Sequence, residues 1–305
     1  MSVSTEAMFL EDLYRDWTLR MAAQPDLPLT QLRGLFDEWQ SATREPENVS
    51  YRSEKIAGVD GIWCYPASAD TAKVIVYLHG GGFMCGSTAS HRKLAAHLAR
   101  SLRVTAVVID YRRAPEYSFP APQEDTAGVF RELIARGFDP ADVYFAGDSA
   151  GGSIAVSTAL RLRDEHAPLP GGIICFSPWL DLELTGESLM TSAATDFLVP
   201  SPSGPELIAA YVAGTTPLTD PLINPMHANF TGFPRLYINV GSGEALRDDA
   251  VRFHELATSH GVDSTLTVAR DMQHVFLLLA GRAVEADDEL ERIARWFHGE
   301  NDSAD

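Results

Sequence analysis

Apolar positions recur along this chain in two rhythms. Near the N-terminus Met8, Leu10, Leu13, Trp17 and Met21 fall at roughly helical spacing within residues 7–21, and residues 29–39 repeat the pattern after Pro25 and Pro28. Such spacing predicts two amphipathic helices. Residues 49–55 and 59–65 then alternate about Ala57-Gly58, which predicts a hairpin at a sheet edge. From residue 72 the texture becomes an unbroken apolar run followed by a helical stretch, several times over. Strands are predicted at 73–78, 104–109, 143–146, 172–176, 236–240 and 264–268, and helices at 94–102, 121–135, from Ile154 onward and over 276–297. Continuous Val/Ile-rich runs alternating with helices imply a mostly parallel sheet covered on both faces. In such sheets functional groups gather at the carboxyl ends of the strands. Residues 181–220 lose the rhythm and turn to Thr, Ser, Pro and Ala, an insertion with a helix around Glu206 to Val212. Together with the N-terminal helices it is placed to fold over the strand ends.

Composition narrows the picture. A chain of 305 residues, 45% of them hydrophobic, can bury a large core, in one α/β domain or two small ones. No run approaches the roughly 18 apolar residues that a membrane helix needs. The N-terminus lacks the positive charge and apolar block of a signal peptide, so the expected location is cytoplasmic, without stable membrane insertion. Cys64, Cys85 and Cys175 are widely separated with no C-x-x-C spacing, against a disulfide framework or a structural zinc site, and are expected as buried thiols. A formal net charge of −18 disfavours nucleic acid and anionic surfaces as partners.

Chemistry concentrates at Gly147-Asp148-Ser149-Ala150-Gly151-Gly152, between a predicted strand and a predicted helix. A serine at so sharp a bend is held in a strained conformation with its hydroxyl outward, a nucleophile elbow, and a Cβ at Gly147 or Gly151 would collide with the chain as it doubles back. Taken alone, G-x-S-x-G also reads as an ordinary Gly/Ser-rich turn. After the strand ending at Leu78 comes His79-Gly80-Gly81-Gly82-Phe83, whose bare N–H groups suit a developing oxyanion. Gly81 and Gly82 are the expected donors, with the N–H of Ala150 as the third, while His79 braces the loop. The general base is expected in a loop after the last strand, where Asp271-Met272-Gln273-His274-Val275-Phe276 supplies His274. His254 and His260 belong to a helical stretch, and His298 to the tail. The acid belongs after strand 236–240, where Glu244 stands first on the loop and Asp248 is the alternative. Asp248 and Asp249 are otherwise accounted for by helix-start electrostatics.

These segments resemble the bacterial hormone-sensitive-lipase family of α/β-hydrolase esterases. The matching residues are the His79–Phe83 loop, Asp110-Tyr111-Arg112-Arg113-Ala114-Pro115-Glu116 with Phe119-Pro120-Ala121-Pro122, the elbow, Asp220-Pro221-Leu222-Ile223-Asn224-Pro225, and Asp271 to Phe276, in the family's order from about residue 50 to 280. The resemblance implies an α/β-hydrolase fold: a mostly parallel, twisted eight-stranded sheet with helices on both faces and a helical cap. Residues 1–45 and 181–220 would form the cap, and 46–180 with 221–305 the catalytic domain. It also implies a serine carboxylesterase acting on short-chain, apolar acyl esters with Ser149, Glu244 and His274, without a cofactor, and a homodimer. One departure stands out. Most members place aspartate and proline where this chain has Glu244-Ala245, and glutamate keeps the charge but is one methylene longer.

The same machinery serves lactone opening or arylacetamide-type deacetylation, since each passes through a tetrahedral acyl intermediate. A non-catalytic small-molecule receptor of the same fold is the rival from another class. Trp17, Met21, Phe197 and Tyr211 are candidates for an apolar pocket, although side chains at helical spacing are more often core.

Overall fold

The computed structural model describes residues 3–199, 204, 208, 209 and 212–300. Eight strands, β1 (Val49–Ile56), β2 (Val59–Pro66), β3 (Asp70–Leu78), β4 (Val104–Ile109), β5 (Val143–Asp148), β6 (Gly172–Phe176), β7 (Leu236–Gly241) and β8 (Ser264–Ala269), form one sheet in the order β1-β2-β4-β3-β5-β6-β7-β8. Strand β2 runs antiparallel to both β1 and β4, and every other pair is parallel. The predicted hairpin is therefore the antiparallel end of the sheet.

The helices are α1 (Met8–Ala23), α2 (Leu29–Phe36), α3 (Thr88–Leu102), α4 (Ala121–Ala135), α5 (Ala150–Asp164), the single turn α6 (Ser188–Thr191), α7 (Arg247–Ser259) and α8 (Val284–His298). Period-two alternation along the strands sends side chains to opposite faces. Val74, Val76 and Leu78 of β3 join one core cluster with residues of α4, α5 and α7. Ile75 and Tyr77 join another with residues of α1, α3 and α8. Both faces of the sheet are thus buried, which is why its central strands carry no polar alternation.

Three readings change. The stretch 276–297 is not one helix: a 3-10 turn spans Phe276–Leu279, and α8 begins only at Val284. Gly281 between them has φ +71°, and a Cβ there would stand 2.8 Å from the His97 ring. The second N-terminal helix stops at Phe36 and passes into a 3-10 turn over Asp37–Ser41. Trp17 is fully buried among Tyr14, Phe36 and Trp39, with ring centroids 5.1 to 5.6 Å away. It is therefore core, whereas Phe197 lies under the Arg15 guanidinium, 3.5 Å from its ring centroid. Glu206 and Tyr211 lie outside the described residues.

Parallel β3, β5, β6, β7 and β8 all end on the same side. Register places Leu78 beside Gly147, Asp148 beside Phe176 and Gly241 beside Ala269. The loops that follow are those carrying Gly81, Ser149, Glu244 and His274.

Candidate active site

Between β5 and α5 the chain turns within one residue. Ser149 has φ 51° and ψ −120°, a conformation that costs an L-residue on the order of 1–3 kcal/mol and persists only where its surroundings impose it. Here the imposing contacts are a hydrogen bond from its N–H to Phe176 O at 2.9 Å and three to its carbonyl, from Gly152 N and Trp179 N, both at 3.1 Å, and from Ser153 N at 3.4 Å. A Cβ on Gly147 would lie 2.5 Å from the Gly151 carbonyl, and one on Gly151 2.0 Å from Leu78 O. Both glycines are required by close backbone approach.

The glycine loop follows β3 alongside. Gly81 and Gly82 have φ +112° and +61°, and a Cβ on Gly81 would meet the Cys85 carbonyl carbon at 2.4 Å. Cys85 N donates to Gly81 O at 2.8 Å and closes the turn. No hydrogen bond among the described residues uses the N–H of Gly81 or Gly82. Ala150 is the first residue of α5 and carries one of the N–H groups that a helix leaves without an intrahelical acceptor. The loop is braced from beneath. His79 is fully buried, its Nδ1 lies 2.9 Å from Gly80 O, and its ring stacks on Tyr111 at 4.3 Å. The Tyr111 hydroxyl donates to His79 O at 2.6 Å. Burial pulls the His79 imidazole below its ordinary range, so it is neutral and structural.

Glu244 and His274 meet. The carboxylate Oε2 lies 2.8 Å from His274 Nδ1, and the two side chains are 0% and 2% exposed. That leaves Nε2 as the ring nitrogen free for proton transfer. Glu244 Oε1 accepts from the Ser177 hydroxyl at 2.7 Å and from Gly241 N at 2.5 Å. The extra methylene of glutamate thus lets the carboxylate fold back over the end of β7, where a Cβ on Gly241 would stand 2.9 Å from Oε1. Burial pushes the Glu244 carboxyl up, opposed by the hydrogen bonds from His274, Ser177 and Gly241. For His274 burial disfavours the imidazolium, but the Glu244 hydrogen bond and charge outweigh it and hold the imidazole above its ordinary value. The three donors around it, His274, Ser177 and Gly241, favour the ionised form of Glu244 against that burial.

Asp248 lies elsewhere. It sits in the first turn of α7 and accepts from Ser188 N at 2.8 Å and from Arg247. Asp249 does more than favour a helix start: fully enclosed, it accepts the N–H groups of Leu180 and Asp181 at 2.8 and 2.9 Å, and burial pushes its carboxyl up to about 7. It ties the segment after β6 to α7.

Three features escaped the sequence reading. Ser177, at φ +45° just past β6, bridges the site: its hydroxyl donates to Glu244 and accepts from Val275 N at 3.0 Å. Its position at a strand's carboxyl end was the available signal. Tyr14 of α1 donates to His274 O at 2.8 Å. Third, the stretch around α6 grips the Glu244 loop, through Ser188 Oγ to Ala245 O, Ser192 Oγ to Glu244 O, Thr195 Oγ1 to Gly243 O, and Ala245 N to Asp196 Oδ2, at 2.6 to 3.0 Å. A cavity of about 620 Å³ lies in the 181–220 segment, lined by Leu182, Leu184, Leu189 and Met190 among others, with none of the predicted site residues. Among the described residues no group of three or more His, Cys, Asp or Glu is placed to hold a metal ion, and no helix is long and apolar enough to cross a membrane.

Strand order and elbow together define an α/β-hydrolase, and residues 75–278 match the model of a family described as having the alpha/beta hydrolase fold. Over 83% of its length the chain is 36% identical to an acetyl-hydrolase from Streptomyces hygroscopicus, covering 90% of that protein. An esterase from Acinetobacter venetianus is 31% identical over 94% of each chain. Among solved structures, an esterase of the bacterial hormone-sensitive lipase family superposes with a TM-score of 0.92 at 35% identity, covering 98% of this chain and 99% of that one. The chain belongs to the bacterial hormone-sensitive-lipase family of α/β-hydrolase esterases.

Proposed function

We propose that the protein is a serine carboxylesterase of short-chain, apolar acyl esters. Ser149 Oγ attacks the ester carbonyl carbon while His274 Nε2 takes its proton, and the carbonyl π electrons become an oxyanion received by the N–H groups of Gly81, Gly82 and Ala150. Collapse breaks the bond to the alcohol oxygen, which leaves with the proton from His274. Water, deprotonated in turn by His274, attacks the acyl-enzyme; the second oxyanion collapses, breaks the bond to Ser149 Oγ, which takes the proton back from His274, and releases the acid. Glu244 holds the histidine in the tautomer with Nδ1 protonated and stabilises the imidazolium. The observation that carries this reading is the 2.8 Å contact between buried Glu244 and His274, on loops that leave the sheet at the same edge as Ser149.

The preference for short chains rests on the walls of the glycine loop. A Cβ on Gly82 would reach Ile208 at 3.2 Å and the Trp179 ring at 3.9 Å, and Phe83 packs against Trp179. Residues 1–45 and 181–220 act in this reading as the helical cap that supplies Ile208, and residues 46–180 with 221–305 as the catalytic domain. Three free, buried cysteines fit a cytoplasmic location. Strand β8 ends the sheet, partly exposed along its length, with Val268 at 45%, and is the edge on which a second copy would pair into a homodimer.

An acyl-chain-length profile tests the substrate class. p-Nitrophenyl acetate and butyrate should be hydrolysed with kcat/KM at least tenfold above that for the palmitate ester, with neighbouring short chains differing by the roughly 1–3 kcal/mol per methylene that an apolar pocket discriminates. A lactone and an acetanilide run beside them should react more slowly than either short ester. Faster turnover of palmitate, the lactone or the acetanilide contradicts the proposal.

A further inference from the structure

The peptide unit that joins His274 to Val275 is clamped at both of its polar ends. Its carbonyl, His274 O, accepts from the Tyr14 hydroxyl at 2.8 Å, and its N–H, that of Val275, donates to Ser177 Oγ at 3.0 Å. Two hydrogen bonds at opposite ends of one rigid plane leave it no freedom to rotate. Val275 is the residue that needs this restraint, since it is held at φ 53° and ψ 47°, a left-handed conformation in which a β-branched side chain is an outlier. Release of that plane would let the backbone relax and swing the His274 ring on its Cα.

The two clamps come from different parts of the protein. Ser177 directly follows strand β6 and also donates to Glu244, so acid and base share one anchor. Tyr14 belongs to α1, outside the sheet and 260 residues away in sequence. Its hydroxyl is aimed rather than free: Trp39 Nε1 donates to it at 3.0 Å, which leaves its own proton for His274 O. Tyr14 is fully buried and Trp39 nearly so, and burial raises the Tyr14 phenol far above its ordinary range, so it stays a donor at any working pH. A tyrosine that served packing alone would be as well filled by phenylalanine.

We infer that Tyr14 is a positioning residue for His274: through the carbonyl of the base it sets the ring against Glu244, so that α1 completes the site rather than only covering it. The inference rests on His274 being the general base. The charged groups that bear on the ring are Glu244, in direct contact, then Asp196 and Asp148.

Tyr14→Phe, which keeps the ring and removes only the hydroxyl, tests this. The expected result with p-nitrophenyl butyrate is a kcat about tenfold lower, the rate equivalent of roughly 1.4 kcal/mol for one lost buried hydrogen bond, with KM within twofold of wild type. The acid limb of kcat/KM should also move to lower pH, because a ring less firmly set against Glu244 loses part of what raises its pKa. A variant with wild-type kcat and an unmoved acid limb overturns the inference, whatever its thermal midpoint, since a packing role lowers the midpoint alone. If Tyr14→Phe does not fold, Trp39→Phe, which removes the donor that aims the hydroxyl, carries the same test, with the same pattern expected at smaller size and an unmoved acid limb overturning it. Ser149→Ala measured in parallel separates two failures. An active Ser149→Ala sinks the reading of the site itself, whereas an inactive one beside a wild-type-like Tyr14→Phe sinks only the role of Tyr14.

Discussion

Ser149→Ala should lower kcat for p-nitrophenyl butyrate by about 10⁵- to 10⁶-fold, with the thermal midpoint nearly unchanged. The size follows from what the hydroxyl does: without it no acyl-enzyme forms, and only binding and the oxyanion donors remain, which in serine hydrolases leave roughly 10³–10⁴ over water. Stability should hold because the strain at Ser149 lies in its backbone. Its φ of 51° is imposed by Phe176 O, Trp179 N and the Gly147–Gly151 approach, none of which involves the side chain. Loss of activity together with loss of folding would mean that the hydroxyl supports the elbow instead. Activity within tenfold of wild type would mean that another group is the nucleophile.

Glu244→Gln carries the second large effect, a fall in kcat of about 10³- to 10⁴-fold, as expected when a neutral amide replaces the carboxylate that fixes the histidine tautomer. It also has a signature in pH. The base must be neutral to accept the Ser149 proton, so kcat/KM rises with pH through the pKa of His274. In the wild type that pKa stands above its ordinary value of about 6.5, because the Glu244 hydrogen bond and charge outweigh burial. Removal of the charge leaves burial to dominate, which disfavours the imidazolium, so the acid limb of the variant should shift to lower pH even as the rate falls. Asp248→Asn should stay within a few-fold of wild type, since Asp248 bonds Ser188 N and Arg247 and does not reach the ring. The reverse outcome, a silent Glu244→Gln and a crippled Asp248→Asn, would move the acid to α7.

Much of the scaffold was legible because its central strands are buried on both faces and so read as unbroken apolar runs: strands 104–109 and 172–176 were bounded to the residue, as was helix 121–135 by its own apolar spacing. The hairpin about Ala57-Gly58 was legible from its turn. The meeting of Glu244 and His274 followed from one rule, that functional groups collect at the carboxyl ends of parallel strands. Where the reading failed, the cause was tertiary. The break in 276–297 depends on Gly281 packing against the His97 ring, which no local pattern announces. Trp17 has the spacing of a pocket-facing residue and of a core residue alike, and only Phe36 and Trp39 decide between them. Ser177, Tyr14 and the serines around α6 act through hydrogen bonds to residues 52 to 260 positions away, and single polar side chains carry no periodicity that would reveal them. Asp249 looked like a helix-start carboxylate because its partners, Leu180 and Asp181, are brought to it only by the fold.

The account turns on Ser149 being a nucleophile activated by His274, and covalent capture tests that most directly. Wild-type enzyme incubated with a fluorophosphonate at neutral pH, then digested and weighed by mass spectrometry, should carry one adduct per chain on the peptide containing Ser149, with esterase activity falling in step with labelling. Adduct formation at another residue, or full labelling-resistant activity with Ser149 unmodified, would contradict it.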